Sequence, residues 1–255
     1  MTNAIEVKNL SYSYKDKRVL KSVSLGFKAG LLTAILGKNG SGKTTLLKVL
    51  AGLLPCKSGE VIVKDIDLSK MRDSERAKII GYLPQLHHPT FAFKVRDVVL
   101  TGRASYVFTV PKAEDIEKTN EALELVGIGY LSDRVYTELS GGERQMVMMA
   151  RLLAQGAEIM LLDEPLSHLD LPNQVKMCAL MRGLTKRGHT VIAVLHDPTT
   201  ALRIAEEVVF MKQGEVIFNG ATVAGLTEEG LGELYGIEVS IIHTDKGALV
   251  VPSLR

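Results

Sequence analysis

The sequence predicts an α/β fold, a parallel sheet with helices on its faces, carrying an all-helical insertion and a short C-terminal extension. Three observations lead there. A glycine-rich octapeptide, Gly37–Thr44, sits between a short apolar strand and a helix. Strand-length and helix-length segments alternate regularly from residue 159 onward, the pattern of strand–helix units in a parallel sheet. Between roughly residues 86 and 150 the texture is helical throughout, with no convincing strands.

The elements follow in order. Ile5–Leu10 and Ser22–Phe27 read as early strands, Thr33–Leu36 as a short buried one, and Gly42–Leu54 as a helix. Val95–Thr101, Ala113–Val126 and Ser140–Gln155 carry helical periodicity. Then come strand Ile159–Leu162, helix Leu171–Lys186, strand Val191–Leu195, helix Pro198–Ala205 and strand Glu207–Met211. Glu215–Asn219 and Glu238–His243 read as late strands around a helical piece, Glu228–Tyr235. No repeat, low-complexity tract or Pro/Gly/Ser linker divides the chain.

Composition narrows the function classes. With 255 residues and 46% apolar content the chain can bury a large core. Its 31 basic and 29 acidic residues give a net charge of +2, without the basic stripe that a nucleic-acid binder carries. Cys56 and Cys178 are isolated, so neither a metal knuckle nor a disulfide framework is indicated, and a reducing compartment fits. The opening MTNAIEVKNLSYSY lacks the layout of a signal peptide, and no apolar run is long enough to span a bilayer. A membrane role would require a partner.

Gly37-Lys38-Asn39-Gly40-Ser41-Gly42-Lys43-Thr44 fits G-x-x-x-x-G-K-[ST]. Glycines let backbone N–H groups curl around phosphates, and the following helix N-terminus adds partial positive charge. Lys43 is placed to neutralise phosphate charge, and the Thr44 hydroxyl can ligate Mg²⁺. The glycine spacing is not that of a dinucleotide fold. Downstream, Ile159-Met160-Leu161-Leu162-Asp163-Glu164 is an apolar strand ending in two carboxylates. A buried parallel strand delivers such groups to the carboxyl edge of a sheet, where nucleotide phosphates lie. Asp163 would hold Mg²⁺ through its water shell, and Glu164 would orient or deprotonate the attacking water.

Leu139-Ser140-Gly141-Gly142-Glu143 opens the helix that runs to Gln155. Ser140 and Glu143 also make a capping box. A capping box has no use for two glycines in its first turn, where each costs about 1 kcal/mol against Ala. They make sense where an anion approaches the exposed N–H groups closely.

At this point the sequence resembles the ATP-binding subunits of ABC (ATP-binding cassette) ATPases, whose signature is LSGGQ or LSGGE. The resemblance covers essentially the whole chain. The phosphate loop, Gln85, LSGGE, the Asp163-Glu164 strand, Ser167-His168-Leu169-Asp170 and His196 all occur in family order. It implies one P-loop NTPase domain over residues 1–255, with an N-terminal antiparallel β subdomain, a helical subdomain inserted at about 86–155 and a C-terminal extension at 220–255.

The resemblance also implies the site. ATP and Mg²⁺ would be held by residues 37–45, Thr45 included, with Tyr14 stacking on adenine (Tyr12 is its rival). Gln85 would touch metal and water, and His196 the γ-phosphate. Glu164, His196, Gln85 and Lys43 would form the catalytic set, and Thr44, Gln85 and Asp163 the metal set. Two identical subunits would pack head to tail, so that Ser140, Gly141 and Gly142 of one cap the nucleotide held by the other, with Asp170 acting across the seam.

Leu83-Pro84-Gln85 with Val95–Arg103, and the tail from Leu234 to Pro252, resemble the subgroup serving importers of iron–siderophore chelates, haem and cobalamin. That implies two transmembrane permease subunits docking around residues 86–103, an extracytoplasmic binding protein, no nucleic acid, and a place at the cytoplasmic face of the cell membrane. His87 and His88 form an adjacent pair better read as solvated than as metal ligands. Met146 and Lys38 depart from common family residues, Arg and Pro, without touching an expected catalytic group. The methionine-rich run Met146–Met149 reads as core packing. The rivals are a soluble ABC-type ATPase of iron–sulfur cluster assembly, which the Val95–Arg103 segment disfavours, and the ABC ATPase of an importer for another substrate. A chromosome-organising ATPase would carry a long coiled coil before the signature, and this chain has none.

Overall fold

The computed structural model describes residues 2–85, 91–107, 109–245 and 247–253. The chain divides into two compact units, Met1–Met71 with Met181–Arg255, and Arg72–Leu180.

The first unit holds two sheets and a hairpin. Strands β1 (Asn3–Tyr14), β2 (Lys17–Lys28), β4 (Glu60–Val63) and β5 (Ile66–Asp67) form an antiparallel sheet in the order β2-β1-β4-β5. β1 and β2 are twice as long as the sequence pattern suggests. They continue as an antiparallel ribbon through irregular pairing as far as Tyr14 opposite Lys17. In the other sheet, β3 (Leu32–Leu36) lies parallel to both β8 (Thr190–Val194) and β9 (Glu207–Lys212), and β10 (Glu215–Ala221) pairs antiparallel with β9. All five residues of β3 and of β8 are buried, which is why each reads as a continuous apolar run rather than an alternation.

Helix α1 (Lys43–Leu50) buries Leu46, Leu47, Val49 and Leu50, each contributing about 2 kcal/mol to the core. It ends four residues before the expected Leu54. Gly52 adopts φ 67 there, and the N–H groups of Leu53 and Leu54 both turn back to the Lys48 carbonyl. Helix α7 (Pro198–Ile204) starts on Asp197, whose carboxylate accepts from the N–H groups of Thr199 and Thr200. The C-terminal segment supplies the short α8 (Thr222–Gly225), α9 (Glu228–Tyr235) and the hairpin β11 (Val239–Thr244) with β12 (Gly247–Pro252). Thr199 Oγ1 accepts from the Val250 N–H at 3.0 Å, tying that hairpin to α7.

In the second unit β6 (Ile80–Leu83) and β7 (Ile159–Asp163) run parallel, Leu83 opposite Leu162. The unit's helices are α2 (Asp73–Ile79) and α5 (Gly141–Gln155), which pack on β6, and α3 (Val95–Leu100) and α4 (Ala113–Val126), which pack on α5; α6 (Leu171–Lys186) begins in this unit and ends in the first unit's residues. The described residues between 91 and 155 form only helices, turns and one isolated bridge, Lys94 with Val135. The methionine run belongs to the core: Met146, Met148 and Met149 are all buried. Gly102, in the 3-10 turn after α3, lets that turn approach α5 closely, since a Cβ there would lie 2.2 Å from the Arg151 carbonyl oxygen. Arg103 is buried beside it, donating to Asp115 at 3.0 Å and to the Ala154 carbonyl, with its guanidinium 3.9 Å from the Tyr106 ring centre.

Candidate nucleotide site and signature helix

The site residues fall in both units, and each group is built by local chain geometry. In the first unit β3 runs into the glycine-rich loop and α1 leaves it. Gly37 is required by contact: a Cβ there would lie 2.2 Å from the Met211 carbonyl oxygen. Gly42, the residue before α1, has φ 104, a conformation L side chains rarely adopt, and it turns the first N–H groups of the helix toward the loop. Lys43 is 5% exposed, and its ammonium donates to the carbonyls of Gly37 at 2.7 Å and Lys38 at 3.0 Å, so the charge is held over the loop. Ser41 is buried, with no partner for its hydroxyl among the described residues. Thr45 is buried in α1, while Lys38, Asn39 and Gly40 are exposed. A glycine-rich turn running into a helix N-terminus, a close backbone approach and a confined ammonium suit a polyphosphate.

Tyr14 ends β1 and is 44% exposed, meeting Tyr12 edge-on with ring centres 4.9 Å apart. Its exposed ring suits a stacking platform, and Tyr12 is the more buried of the two. His196 lies two residues past the end of β8, after the buried Leu195, exposed at the bend that precedes Asp197 and α7.

In the second unit the buried β7 ends in Asp163, which is 1% exposed and accepts from the Tyr82 hydroxyl at 3.1 Å. Glu164 follows in a left-handed conformation, φ 53, which costs a non-glycine residue about 1–2 kcal/mol. Its Oε2 accepts from Gln85 Nε2 at 2.6 Å and from Ser167 Oγ at 3.1 Å. Gln85, Asp163, Glu164 and Ser167 are thus brought together. Tyr82 and the Ser167 contact escaped sequence reading. A tyrosine one residue before the end of β6 was the available signal for the first.

Ser140 caps α5: its hydroxyl accepts from the Glu143 N–H at 3.2 Å, and the Glu143 carboxylate accepts from the Ser140 N–H at 2.8 Å. These contacts hold the Glu143 carboxyl below its ordinary range. Neither signature glycine has a positive φ. A Cβ on Gly141 would meet nothing closer than His168 Cβ at 3.8 Å, and one on Gly142 would meet the His168 carbonyl at 3.4 Å. Asp170 caps α6, its carboxylate accepting from the Asn173 N–H at 3.1 Å. Leu86, His87 and His88 lie outside the described residues. Among the described residues no group of three or more His, Cys, Asp or Glu could hold a metal, and no helix is long and apolar enough to cross a membrane.

The ABC transporter family model matches residues 20–167. A protein of Helicobacter pylori strain J99 named "Probable iron chelatin transport ATP-binding protein" is 40% identical over 255 residues, covering 98% of this chain and 99% of its own. The hemin import ATP-binding protein HmuV of Thermobifida fusca is 36% identical, with coverage of 100% and 90%. A solved chain described as part of a metal-chelate type ABC transporter, in an inward-facing conformation, superposes with a TM-score of 0.87 at 30% identity, covering 100% of this chain and 99% of its own. A bacterial ABC transporter cassette solved as a dimer is 30% identical with a TM-score of 0.76, covering 86% and 98%. Fold and site together define a nucleotide-hydrolysing cassette. The chain belongs to the ABC transporter family and is an ATP-binding ATPase of it.

Proposed function

We propose that the chain is the ATP-hydrolysing subunit of an importer for a metal chelate, an iron–siderophore complex, haem or cobalamin. The observation that carries the ATPase half is the Glu164 carboxylate, held by Gln85 and Ser167 at the end of β7. The iron chelatin and hemin names of its relatives support the cargo class.

Residues 37–45 hold the triphosphate through backbone N–H groups, and Lys43 neutralises its charge. Thr44, Asp163 and Gln85 would hold Mg²⁺, which would offset charge on the phosphate oxygens. Glu164 accepts the proton of the attacking water, its carboxylate held in place by the hydrogen bonds from Gln85 and Ser167. His196 donates to the γ-phosphate, and Tyr14 stacks on adenine.

The signature glycines act on a nucleotide held by a second copy. Packing within the unit does not demand glycine at 141, yet glycine there weakens the helix by up to about 1 kcal/mol. The requirement therefore arises outside the unit, from a ligand lying against Ser140–Gly142. ATP then joins two subunits head to tail, with Asp170 at the seam, and its hydrolysis releases them. Two permease subunits convert that closure into transport, engaging the inserted helices around 86–103 and receiving cargo from an extracytoplasmic binding protein. The chain works at the cytoplasmic face of the membrane as one domain, 1–255, with its helical insert at 86–155 and its extension at 220–255.

The test is sedimentation of Glu164→Gln protein with Mg·ATP. A nucleotide-dependent dimer that hydrolyses nothing is expected. A monomer at saturating ATP would overturn the two-subunit site.

A further inference from the structure

The C-terminal segment touches the phosphate loop at a place that neither ATP binding nor subunit pairing explains. Helix α9 ends at Gly236, φ 63, whose N–H donates to the Gly232 carbonyl. Lys212, the last residue of β9, donates its ammonium to the Glu233 carbonyl at 2.7 Å. The Lys38 ammonium, from inside the glycine-rich octapeptide, lies beside Gly236, where an added Cβ would be 3.4 Å from it. Leu234, fully buried, lines a cavity of about 180 Å³ with Lys38, Ser41, Met211 and Lys212.

A helix carboxyl end carries about half a negative charge on its unsatisfied carbonyls, so two lysines there are electrostatically matched. The strand that supplies Lys212 also shapes the loop directly. Its Met211 carbonyl is the atom that confines Gly37, and the Gly214 N–H in the next turn donates to the Ser41 carbonyl at 3.0 Å. The loop is therefore braced by β9 and the turn after it, and the end of α9 in the C-terminal extension meets both the loop, at Lys38, and that strand, at Lys212.

We propose that α9 is a clasp on the phosphate loop, with Lys38 and Lys212 as positioning residues that set its affinity for ATP by holding the loop in its binding shape. This rests on the reading of residues 37–45 as the triphosphate cradle. Lys38 then serves the nucleotide through α9, with its side chain directed away from the phosphates. A loop already ordered loses less conformational freedom when ATP binds.

The test uses full-length protein and two readouts: hydrogen exchange at amides 232–236 without nucleotide, and ATP affinity with kcat. Lys212→Met keeps the stem and removes the charge. It is expected to speed exchange at the end of α9 and weaken ATP binding at least about fivefold, leaving kcat at saturation within about twofold. Lys212→Arg should restore both, and Lys38→Ala should act in the same direction on both. Faster exchange with unchanged affinity would overturn the clasp. So would weaker affinity with unchanged exchange, since the lysines would then be touching the nucleotide themselves. A wild-type chain that binds no ATP would instead overturn the nucleotide reading on which the clasp rests.

Discussion

Gln85 and Glu164 are joined by a hydrogen bond of 2.6 Å, amide to carboxylate, and the same carboxylate oxygen also accepts from Ser167. Gln85 follows β6 and begins the stretch leading to the inserted helices, whereas Glu164 closes β7. Any displacement of the segment after β6 is thus felt by the group assigned to the attacking water. A permease pressing near residues 86–103 would act on hydrolysis through this bond.

Replacing Glu164 with Gln removes the proton acceptor and keeps the shape. ATP binding should persist while turnover falls by at least about 10²-fold, the usual contribution of a positioned base. A phosphate-release assay with Mg·ATP checks this, and an unchanged rate would remove Glu164 from the catalytic role.

Gly141→Ala separates folding from function. The new methyl group meets nothing closer than 3.8 Å within the unit, and alanine is the better helix former by up to about 1 kcal/mol. Thermal unfolding should therefore occur at an equal or higher temperature. ATP-dependent pairing and hydrolysis should both drop, at least about tenfold for hydrolysis, as expected when a group is forced into a backbone–phosphate contact. A variant with full activity would show that nothing approaches this glycine.

Asp115 makes a prediction about acid stability. The Lys112 N–H and the Arg103 guanidinium hold its carboxyl below the usual carboxylate range. Because the folded-state value is the lower one, its stabilisation is complete above about pH 4 and is lost as pH falls through the folded-state value. Asp115→Asn should lower Tm at neutral pH by leaving Arg103 without its counter-charge. It should also flatten the loss of stability on acidification below pH 4. Parallel wild-type and mutant Tm curves down to pH 3 would contradict the assignment.

Legibility in the sequence followed burial. Ala113–Val126 and Leu171–Lys186 were readable to the residue, the former because its apolar stripe buries Ala122, Leu123 and Val126 on one face. Asp73–Ile79 has no buried residue at all, so periodicity had nothing to register. It is held instead by the Arg76–Asp73 ion pair and by the Arg72 N–H donating to Glu75. The four residues of β4 and the two of β5 are too short to show alternation. At the site, glycine spacing and the strand-end carboxylates were legible because the chemistry fixes residue types at fixed intervals. The left-handed turn at Glu164, the hydroxyl of Tyr82 and the α9 contact with Lys38 were not, since they depend on how distant segments meet.

The most direct test of the central claim, an ATPase that drives a membrane importer, is a pull-down. Tagged Glu164→Gln protein, held in its ATP-bound state with Mg·ATP, is recovered from a native detergent extract and its partners are identified by mass spectrometry. The account predicts a polytopic membrane protein whose associated binding protein takes iron chelates, haem or cobalamin. Recovery of soluble scaffold proteins alone, from an extract whose membranes are demonstrably solubilised, would contradict it and place the chain in cluster assembly.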